Sequence, residues 1–434
     1  MKNYWQGINV ITDNGWGDAG KGKLVDMASQ HVDMVIRYNG GGNAGHTVIN
    51  KHGEFKNHLM PSGIYNPKAV CILTGGVVID PFMLAKEIED HQAKSIKISP
   101  KNLLISQDAH MVMPWHKKRD GLKEKARGGD KIGTTGQGIG PTYSDRSNRE
   151  GLRMRDLINP KFKEMFLKEL NYQERLTKFM EGEENNQYYN AEELLKELNK
   201  VKKIICSMIT NVLPVIWEYQ KKGKAILAEG AQGALLDLEL GGYPYVTSSH
   251  PGVTGFALTS GIHHKQVNKV IGTTKAYTTR VGGGPMPTEL TDKTGQYIQK
   301  KGGEFGATTG RARRCGWLDI PAMKYGAKIA GVDTIGLTKL DILDGLPEVK
   351  LCIAYEFRGK KYFDLPTADP DFMENSKPVY LILKGWQKDI SKVRYFNDLP
   401  ANAKKYILTA QKWLKIPIEI VSVGAEREAT IYLH

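Results

Sequence analysis

The residues best placed to do chemistry lie in a glycine-rich segment, residues 15–23, which reads Gly-Trp-Gly-Asp-Ala-Gly-Lys-Gly-Lys. The spacing from Gly15 to Lys21 fits the phosphate-loop pattern G-x-x-x-x-G-K, except that Gly22 stands where a hydroxyl residue normally holds magnesium. In such a loop, backbone N–H groups and a helix N-terminus bind phosphate oxygens, and the lysine reaches a terminal phosphate. Asp18 is unusual there, since phosphates repel a carboxylate unless it holds a metal ion or takes a proton. The alternative is a glycine-rich turn that binds no ligand.

A second glycine-rich loop, residues 37–47, contains two asparagines and ends at His46 and Thr47. A histidine that closes such a loop at a strand end is expected to face a crevice, so we predict an acid or electrostatic role for His46. The alternative is a structural histidine.

Three further segments indicate anionic or nucleotide ligands. Residues 306–314 combine two threonines with three arginines, whose planar guanidinium groups match carboxylates and phosphates. The alternative for residues 306–314 is a basic surface loop. Residues 133–141 form another loop of backbone donors. Residues 338–341 resemble the N/T-K-x-D pattern, in which a fixed carboxylate accepts from guanine N1–H and the exocyclic amine. Beside a phosphate loop, this pattern favours GTP.

Short apolar strands position these loops. The runs with this pattern are residues 8–12, 34–38, 70–73, 225–228, 334–337 and 418–421. Near-continuous apolar strands, each followed by a polar loop and usually by a helical pattern, are typical of a parallel sheet buried on both faces. Ligands of such sheets bind beyond the carboxyl ends of the strands, and all the predicted chemistry lies at that edge.

The sequence therefore predicts one large α/β domain over residues 1–434, with a mostly parallel central sheet, helices on both faces and a variant, P-loop NTPase-like phosphate loop. Residues 100–222 are predicted to form a helix-rich insertion subdomain within it. The insertion is dense in lysine and glutamate, and Asn190 with Glu193 has the spacing of a helix N-cap and its partner. Interleaved glutamates and sparse aromatics disfavour nucleic-acid binding.

Composition excludes several classes of protein. The 434 residues are 40% hydrophobic and 25% charged, values typical of globular proteins rather than disordered chains or coiled coils. No run approaches the roughly 18 apolar residues of a membrane span, and residues 1–7 lack the core of a signal peptide, so we expect a cytoplasmic protein without membrane contact. The four cysteines show no paired spacing, which predicts reduced thiols. The net charge of +14 does not distinguish among anionic partners.

Taken together, the motifs resemble those of the adenylosuccinate synthetase family over nearly the whole chain. The matching segments, in order, are residues 15–23, 43–47, 132–141, 229–237, 243–249, 275–290, 305–319 and 338–345. The resemblance implies a homodimeric GTP-dependent ligase that uses Mg²⁺ to join IMP and L-aspartate, the committed step from IMP towards AMP. It implies transfer of the GTP γ-phosphoryl group to O6 of IMP, followed by displacement of that phosphoryl group by the aspartate amine.

The resemblance also implies roles for particular residues. Asp18 would remove the proton from purine N1, and His46 and Lys21 would stabilise the transferring phosphoryl group. Residues implied to contact GTP are Gly17, Ala19, Gly20, Lys21, Gly22, Lys23, Gly45, His46, Thr47, Lys339, Asp341, Ser422 and Gly424. Residues implied to contact IMP are Asn43, Thr135, Gln232, Thr247, Arg311 and, across a homodimer interface, Arg149. Aspartate would contact Thr308, Thr309, Arg311 and Arg313, and Mg²⁺ would bind the Asp18 carboxylate and the Gly45 carbonyl.

The chain departs from the family pattern at several positions. Ala19 stands where glutamate is usual, Gly42 where histidine is frequent, Gln137 and Ala312 where arginine is common, and Val423 where threonine is common. These departures leave two alternatives open: the same chemistry on dGMP, and a GTP-binding protein that has lost catalysis. Asp18 and the intact residues 338–341 argue against the dGMP branch, in which the loop aspartate is typically replaced.

Overall fold

The computed structural model describes residues 2–182, 188–306 and 310–433. Within these ranges the chain forms seventeen strands: β1 (Ile8–Asp13), β2 (Met34–Arg37), β3 (His46–Asn50), β4 (Gly53–Asn57), β5 (Val70–Leu73), β6 (Leu103–Ser106), β7 (Ile209–Thr210), β8 (Ile226–Glu229), β9 (Lys269–Lys275), β10 (Tyr277–Arg280), β11 (Arg314–Asp319), β12 (Thr334–Thr338), β13 (Glu348–Phe357), β14 (Lys360–Tyr362), β15 (Lys377–Lys384), β16 (Ile418–Ser422) and β17 (Thr430–Tyr432).

The same ranges contain thirteen α-helices: α1 (Lys21–Ser29), α2 (Pro81–Ala93), α3 (Pro114–Ala126), α4 (Ile139–Asn148), α5 (Met154–Leu157), α6 (Phe162–Glu181), α7 (Ala191–Ile205), α8 (Val212–Lys221), α9 (Val253–Ser260), α10 (Lys293–Lys301), α11 (Ile320–Ala330), α12 (Pro370–Glu374) and α13 (Ala401–Leu414). The Asn190 side chain caps α7 by accepting from the backbone N–H groups of Glu192 and Glu193. None of the described helices is long and apolar enough to cross a membrane.

A ten-stranded sheet forms the centre of the molecule, in the order β17-β16-β12-β9-β1-β8-β2-β5-β6-β7. The pairs from β16 through to β7 are parallel, and β17 alone is antiparallel to its neighbour. Every residue of β1, β2, β8 and β12 is buried, because the side chains on both faces of the sheet are covered. The predicted mostly parallel α/β fold is confirmed.

Two smaller sheets flank the central one. Strand β11 joins antiparallel β10 to parallel β13, which also pairs with β14 and β15. Strands β3 and β4 form a separate hairpin in which His46 is paired with Asn57. The four cysteines are free thiols, and Cys71, Cys315 and Cys352 are buried.

The parallel register brings the predicted loops to one edge of the central sheet. Strand β1 runs into residues 14–20, β8 into residues 230–233 and β12 into residues 339–341. The first two loops touch, because a Cβ added at Gly233 would lie only 2.2 Å from the Gly15 carbonyl oxygen. A glycine is therefore needed where the loop after β8 packs on the phosphate loop.

Candidate active site

A cavity of about 1140 Å³ opens at the carboxyl ends of the parallel strands. It is lined by most of the residues that the sequence singles out: Gly17, Asp18, Gly20, Lys21, Gly22, Lys23, Asn43, Gly45, His46, Thr47, Thr135, Gln232, Thr247, Arg313, Lys339, Asp341, Ser422 and Gly424. The volume exceeds what one small ligand fills, so the cavity can hold two or more polar ligands side by side.

A few predicted residues lie elsewhere. Ala19 is buried and is not part of the described cavity lining, and Arg149 and Arg311 are exposed outside it. The Arg311 guanidinium reaches the carbonyl oxygens of Gly133 and Thr134 at 3.3 and 3.4 Å. Thr308 and Thr309 lie outside the described residues.

The phosphate loop turns into α1 through several left-handed residues. Gly17, Asp18 and Gly20 have φ values of 89°, 60° and 79°, and helix α1 begins directly after Gly20. The Lys21 ammonium donates to the Gln232 carbonyl at 2.6 Å and pairs with the Asp13 carboxylate at 3.1 Å. The loop is thereby fixed to the strand below it and to the neighbouring loop after β8.

Asp18 faces the cavity from within this loop. Its side chain is 29% exposed, and its carboxylate forms an ion pair with Arg313 Nε at 2.9 Å. Arg313 comes from the segment before β11, so the pair joins the phosphate loop to the arginine-rich segment at residues 310–314. A carboxylate that is partly exposed in a ligand-sized cavity can accept a proton or bind a cation.

Glu304 lies at the centre of a buried cluster of charges. Its carboxylate accepts from Lys275 at 2.9 Å, from Arg313 at 2.7 Å and from Lys339 at 2.7 Å, and Tyr277 also donates to it. Burial alone would raise the pKa of Glu304, but the three cations more than offset it and hold the pKa well below its usual range. One anion therefore fixes Arg313 and Lys339, which belong to two predicted binding regions.

His46 makes a buried pair with Glu229, the last residue of β8. The imidazole Nδ1 lies 2.6 Å from Glu229 Oε1, and Ser62 donates to the same carboxylate through its hydroxyl and its backbone N–H. Because the carboxylate accepts, Nδ1 carries the proton and Nε2 is the nitrogen left for a ligand. Burial lowers the pKa of His46, and Glu229 opposes that shift. His46 lines the cavity although it is only 7% exposed.

Two lysines and one aspartate form the end of the cavity near β12 and β16. Lys339 is held by Glu304, and Asp341 has a buried Oδ1 with no hydrogen-bond partner among the described residues. Burial raises the pKa of Asp341, while Lys23 and Lys339 oppose the shift. Lys23 donates to the Ser422 hydroxyl at 2.6 Å and to the Gly424 carbonyl at 2.7 Å, which ties helix α1 to the loop after β16.

Another part of the cavity lining carries amides and hydroxyls. The Gln232 side chain donates to Asn43 at 3.0 Å, and Thr135 and Thr247 also line this part of the cavity. The first backbone amides of the predicted donor loop at residues 133–141 donate to a side chain of helix α3. Glu124 accepts from the N–H groups of Ile132, Gly133 and Thr134 at 3.3, 2.8 and 3.3 Å. A ligand there is therefore left with the threonine hydroxyls rather than these three amides.

The cavity offers limited but suitable ligands for a divalent cation. No group of three or more His, Cys, Asp or Glu side chains within the described ranges could hold a metal ion. Asp18 and Gly45 both line the cavity and supply hard oxygen donors. Mg²⁺ is usually bound by one or two carboxylates together with substrate phosphates and water, so this donor set fits a metal that arrives with a nucleotide.

Sequence reasoning missed the residues that support this site. Glu304 and Asp13 belong to no pattern that spacing reveals, and Glu304 lies 29 positions from Lys275 and 35 from Lys339. A signal for Asp13 was nevertheless present, because it is a carboxylate that ends an apolar strand immediately before the phosphate loop.

Comparison with known proteins gives a consistent result. The family model described as adenylosuccinate synthetase matches residues 10–431. An adenylosuccinate synthetase of Caldanaerobacter subterraneus subsp. tengcongensis is 44% identical over 427 residues, covering 98% of this chain and 99% of the relative. The enzyme of Desulforamulus reducens is 44% identical over 425 residues, covering 98% of each chain.

Two solved structures are also similar. Fully ligated adenylosuccinate synthetase from Plasmodium falciparum has a TM-score of 0.93 and 39% identity, and the match covers 99% of this chain and 100% of that one. Succinoaminodeoxyadenylate synthetase of cyanophage S-2L, bound to dGMP and dATP, has a TM-score of 0.62 and 17% identity, covering 98% and 95% of the two chains. At that identity the second likeness concerns the fold alone.

Proposed function

The chain belongs to the adenylosuccinate synthetase family and is a GTP-dependent ligase of purine biosynthesis that joins L-aspartate to IMP; on this premise we propose which of its residues perform each step. The observation that carries the proposal is that Asp18, Lys21 and Asp341 all line one cavity large enough for more than one ligand. The γ-phosphoryl group of GTP passes to O6 of IMP, and the aspartate amine then displaces it.

Asp18 acts as the base for the first step. It takes the proton from purine N1, which makes O6 nucleophilic towards the γ-phosphorus. Its partial exposure inside the cavity and its backbone, fixed between Gly17 and Gly20, support this role. General-base catalysis requires a carboxylate within hydrogen-bond reach of the proton, so the Arg313 contact must yield when the purine enters.

The transferring phosphoryl group is stabilised by charge and position rather than by covalent chemistry. Lys21 and the backbone N–H groups at the start of α1 bind its oxygens, and His46 donates from Nε2. Burial lowers the pKa of His46 and so disfavours a second proton on the ring. The negative charge of the phosphoryl group and the Glu229 contact at Nδ1 favour that proton, so the imidazole gains it when the phosphoryl group arrives. The remaining phosphate-loop residues and the segment from Gly45 to Thr47 surround the triphosphate.

Guanine binds at the end of the cavity near β12. The Asp341 carboxylate, whose Oδ1 has no hydrogen-bond partner in the part of the chain that the structure describes, accepts from guanine N1–H and the exocyclic amine, and the Lys339 stem packs on the base. Ser422 and Gly424 line the same end, where Lys23 holds their loop in place. A buried acceptor without a partner costs free energy, so a base that satisfies it is bound selectively.

IMP and aspartate occupy the rest of the cavity. Asn43, Thr135, Gln232 and Thr247 contact IMP. The aspartate carboxylates bind Arg313 together with Arg311, Thr308 and Thr309. Arg313 already has two anionic partners, Asp18 and Glu304, so an incoming carboxylate replaces Asp18 rather than adding a third negative charge.

The family needs a divalent metal ion, and we propose Mg²⁺ held by the Asp18 carboxylate and the Gly45 carbonyl. Both residues line the cavity and provide the oxygen ligands that Mg²⁺ prefers. When bound, the ion neutralises negative charge on the phosphates.

We also propose a homodimer in which Arg149 of the partner subunit completes the IMP site. In this chain Arg149 is exposed at the C-terminus of α4, and it is not part of the described lining of its own cavity. Mixing an inactive Asp18→Asn variant with an inactive Arg149→Leu variant tests this arrangement. A hybrid dimer restores turnover if the arginine acts in trans, and no restoration contradicts it.

The base assignment is tested with Asp18→Asn. Turnover falls by about 10²- to 10⁴-fold, the usual contribution of a general base, while GTP binding persists because the phosphate cradle is intact. The same assay is repeated with dGMP in place of IMP and with ATP in place of GTP. Substantial turnover by Asp18→Asn contradicts the base role, and product from dGMP or no product from any combination contradicts the assigned substrates.

A further inference from the structure

Asp13 ends strand β1 directly beneath the phosphate loop. Its side chain is completely buried, at 0% exposure, and its backbone is paired with Thr273 of β9. It is not among the described residues that line the cavity. The carboxylate is therefore held by the sheet and contacts the loop from inside the protein rather than from the side of a ligand.

Three donors of the loop converge on this carboxylate. Oδ1 accepts from the backbone N–H of Gly15 at 2.8 Å, and Oδ2 accepts from the backbone N–H of Ala19 at 3.0 Å. The Lys21 ammonium contacts Oδ2 at 3.1 Å. These contacts span the loop from its first glycine to its lysine, so one side chain fixes the whole turn.

The contact with Ala19 also acts on Asp18. The Ala19 N–H belongs to the peptide bond that joins Asp18 to Ala19, and the Ala19 carbonyl accepts from the Thr338 hydroxyl at 2.9 Å. Asp18 has a φ of 60°, in the left-handed region that L-residues other than glycine populate sparsely. Such a conformation persists only where surrounding contacts fix it, and here they hold the peptide groups on both sides of Ala19, the first of which adjoins Asp18.

We propose that Asp13 is a positioning residue for the reaction. Its carboxylate holds Asp18 in the left-handed conformation that faces the purine, and it holds the Lys21 ammonium at the base of the phosphate loop. The Ala19 side chain is only a buried methyl group, and the carboxylate that accepts from the N–H groups and the lysine of this turn is that of Asp13. The inference rests on the proposed role of Asp18 as the base.

Asp13→Asn is the direct test. An asparagine presents one acceptor and one NH₂ group, so it cannot accept from Gly15, Ala19 and Lys21 together. We expect kcat to fall by about 10- to 100-fold, the effect of a misplacement of about 1 Å. KM for GTP and for IMP should stay nearly unchanged, because the interaction lost concerns the transition state rather than ground-state binding.

Asp319→Asn is the matched control. Asp319 is also a fully buried carboxylate that ends a strand, and it accepts from the Ala322 N–H at 3.1 Å and the Tyr355 hydroxyl at 2.6 Å. It is not part of the described cavity lining. We expect this variant to lower the melting temperature while leaving kcat at the wild-type value.

Asp13→Gly provides a second variant, which removes the carboxylate without adding an amide and should give the same loss of kcat. Wild-type kcat in either Asp13 variant, or a rise in KM for GTP with kcat unchanged, overturns the inference. So does an equal loss of kcat in Asp319→Asn. Asp18→Asn is assayed alongside: if it retains turnover, the base assignment fails, whereas an inactive Asp18→Asn beside a fully active Asp13 variant refutes the positioning role alone.

Discussion

Replacing Glu229 by glutamine tests how His46 works. The backbone N–H of Ser62 donates to one carboxylate oxygen of Glu229, so a glutamine keeps its carbonyl there and turns its NH₂ group towards His46 Nδ1. That NH₂ group donates to Nδ1, which then must give up its proton. Protonation of both ring nitrogens becomes unfavourable, and His46 Nε2 can no longer carry an additional positive charge to the phosphoryl group.

The size of the expected effect of Glu229→Gln follows from the contact between His46 and Glu229. Burial already lowers the pKa of His46, and Glu229 at 2.6 Å is the group that opposes the shift. A hydrogen bond to a charged group contributes about 1.5–3 kcal/mol. The limb of the kcat profile that falls as pH rises should therefore move towards acid, and kcat at neutral pH should fall by about 10- to 100-fold.

The assay is kcat at saturating substrates as a function of pH. Glu87→Gln is the control, because Glu87 is also a buried carboxylate within 3.0 Å of a histidine Nδ1, that of His58, and neither residue is part of the described cavity lining. The control should keep the wild-type profile. An unmoved basic limb in Glu229→Gln refutes the requirement for a doubly protonated His46, and an equal shift in both variants refutes the assignment to this pair.

Two further substitutions probe the charges around the cavity. Asp341→Asn should weaken GTP binding by about 1.5–3 kcal/mol and improve the relative use of xanthosine triphosphate. An unchanged preference for GTP over ATP would refute recognition of guanine by Asp341. Glu304→Gln leaves Lys275, Arg313 and Lys339 without their shared anion. The free energy of unfolding, measured in urea, should therefore fall by on the order of 3–5 kcal/mol, and GTP should restore part of it. Because the pKa of Glu304 is held well below its usual range, this difference from wild type should persist at neutral pH. It should begin to decrease only below the unfolded pKa of about 4.3 and be lost as the pH falls through the much lower pKa of the folded state; equal stability at pH 7 would contradict the cluster's role.

The central sheet could be predicted because its strands are apolar on both faces. The predicted runs at residues 8–12, 34–38, 70–73, 225–228, 334–337 and 418–421 all become strands of the ten-stranded sheet, within one residue of the predicted bounds. Such strands end where polar loop residues begin, so the loops at their carboxyl ends could be placed at one edge as well.

The second sheet and the supporting carboxylates could not be predicted in the same way. Strand β13 is half-buried along parts of its length and pairs with strands before and after it in the chain, so its partners depend on tertiary packing. Glu304 acts through residues far away in sequence, and Glu124 caps amides that the sequence suggests are available to ligands. Local sequence patterns therefore reveal the residues that contact a ligand. They do not reveal as well the residues that hold those contact residues in place.

The route of the phosphoryl group provides the sharpest test of Asp18 as the base that activates O6. IMP carrying heavy oxygen at O6 is incubated with GTP, Mg²⁺ and aspartate, and the phosphate released is analysed by mass. If Asp18 activates O6 for attack on the γ-phosphorus, each phosphate released by the wild-type enzyme carries the heavy oxygen, and Asp18→Asn releases almost none although it binds GTP. Unlabelled phosphate from the wild type, or labelled phosphate at the normal rate from Asp18→Asn, would contradict it.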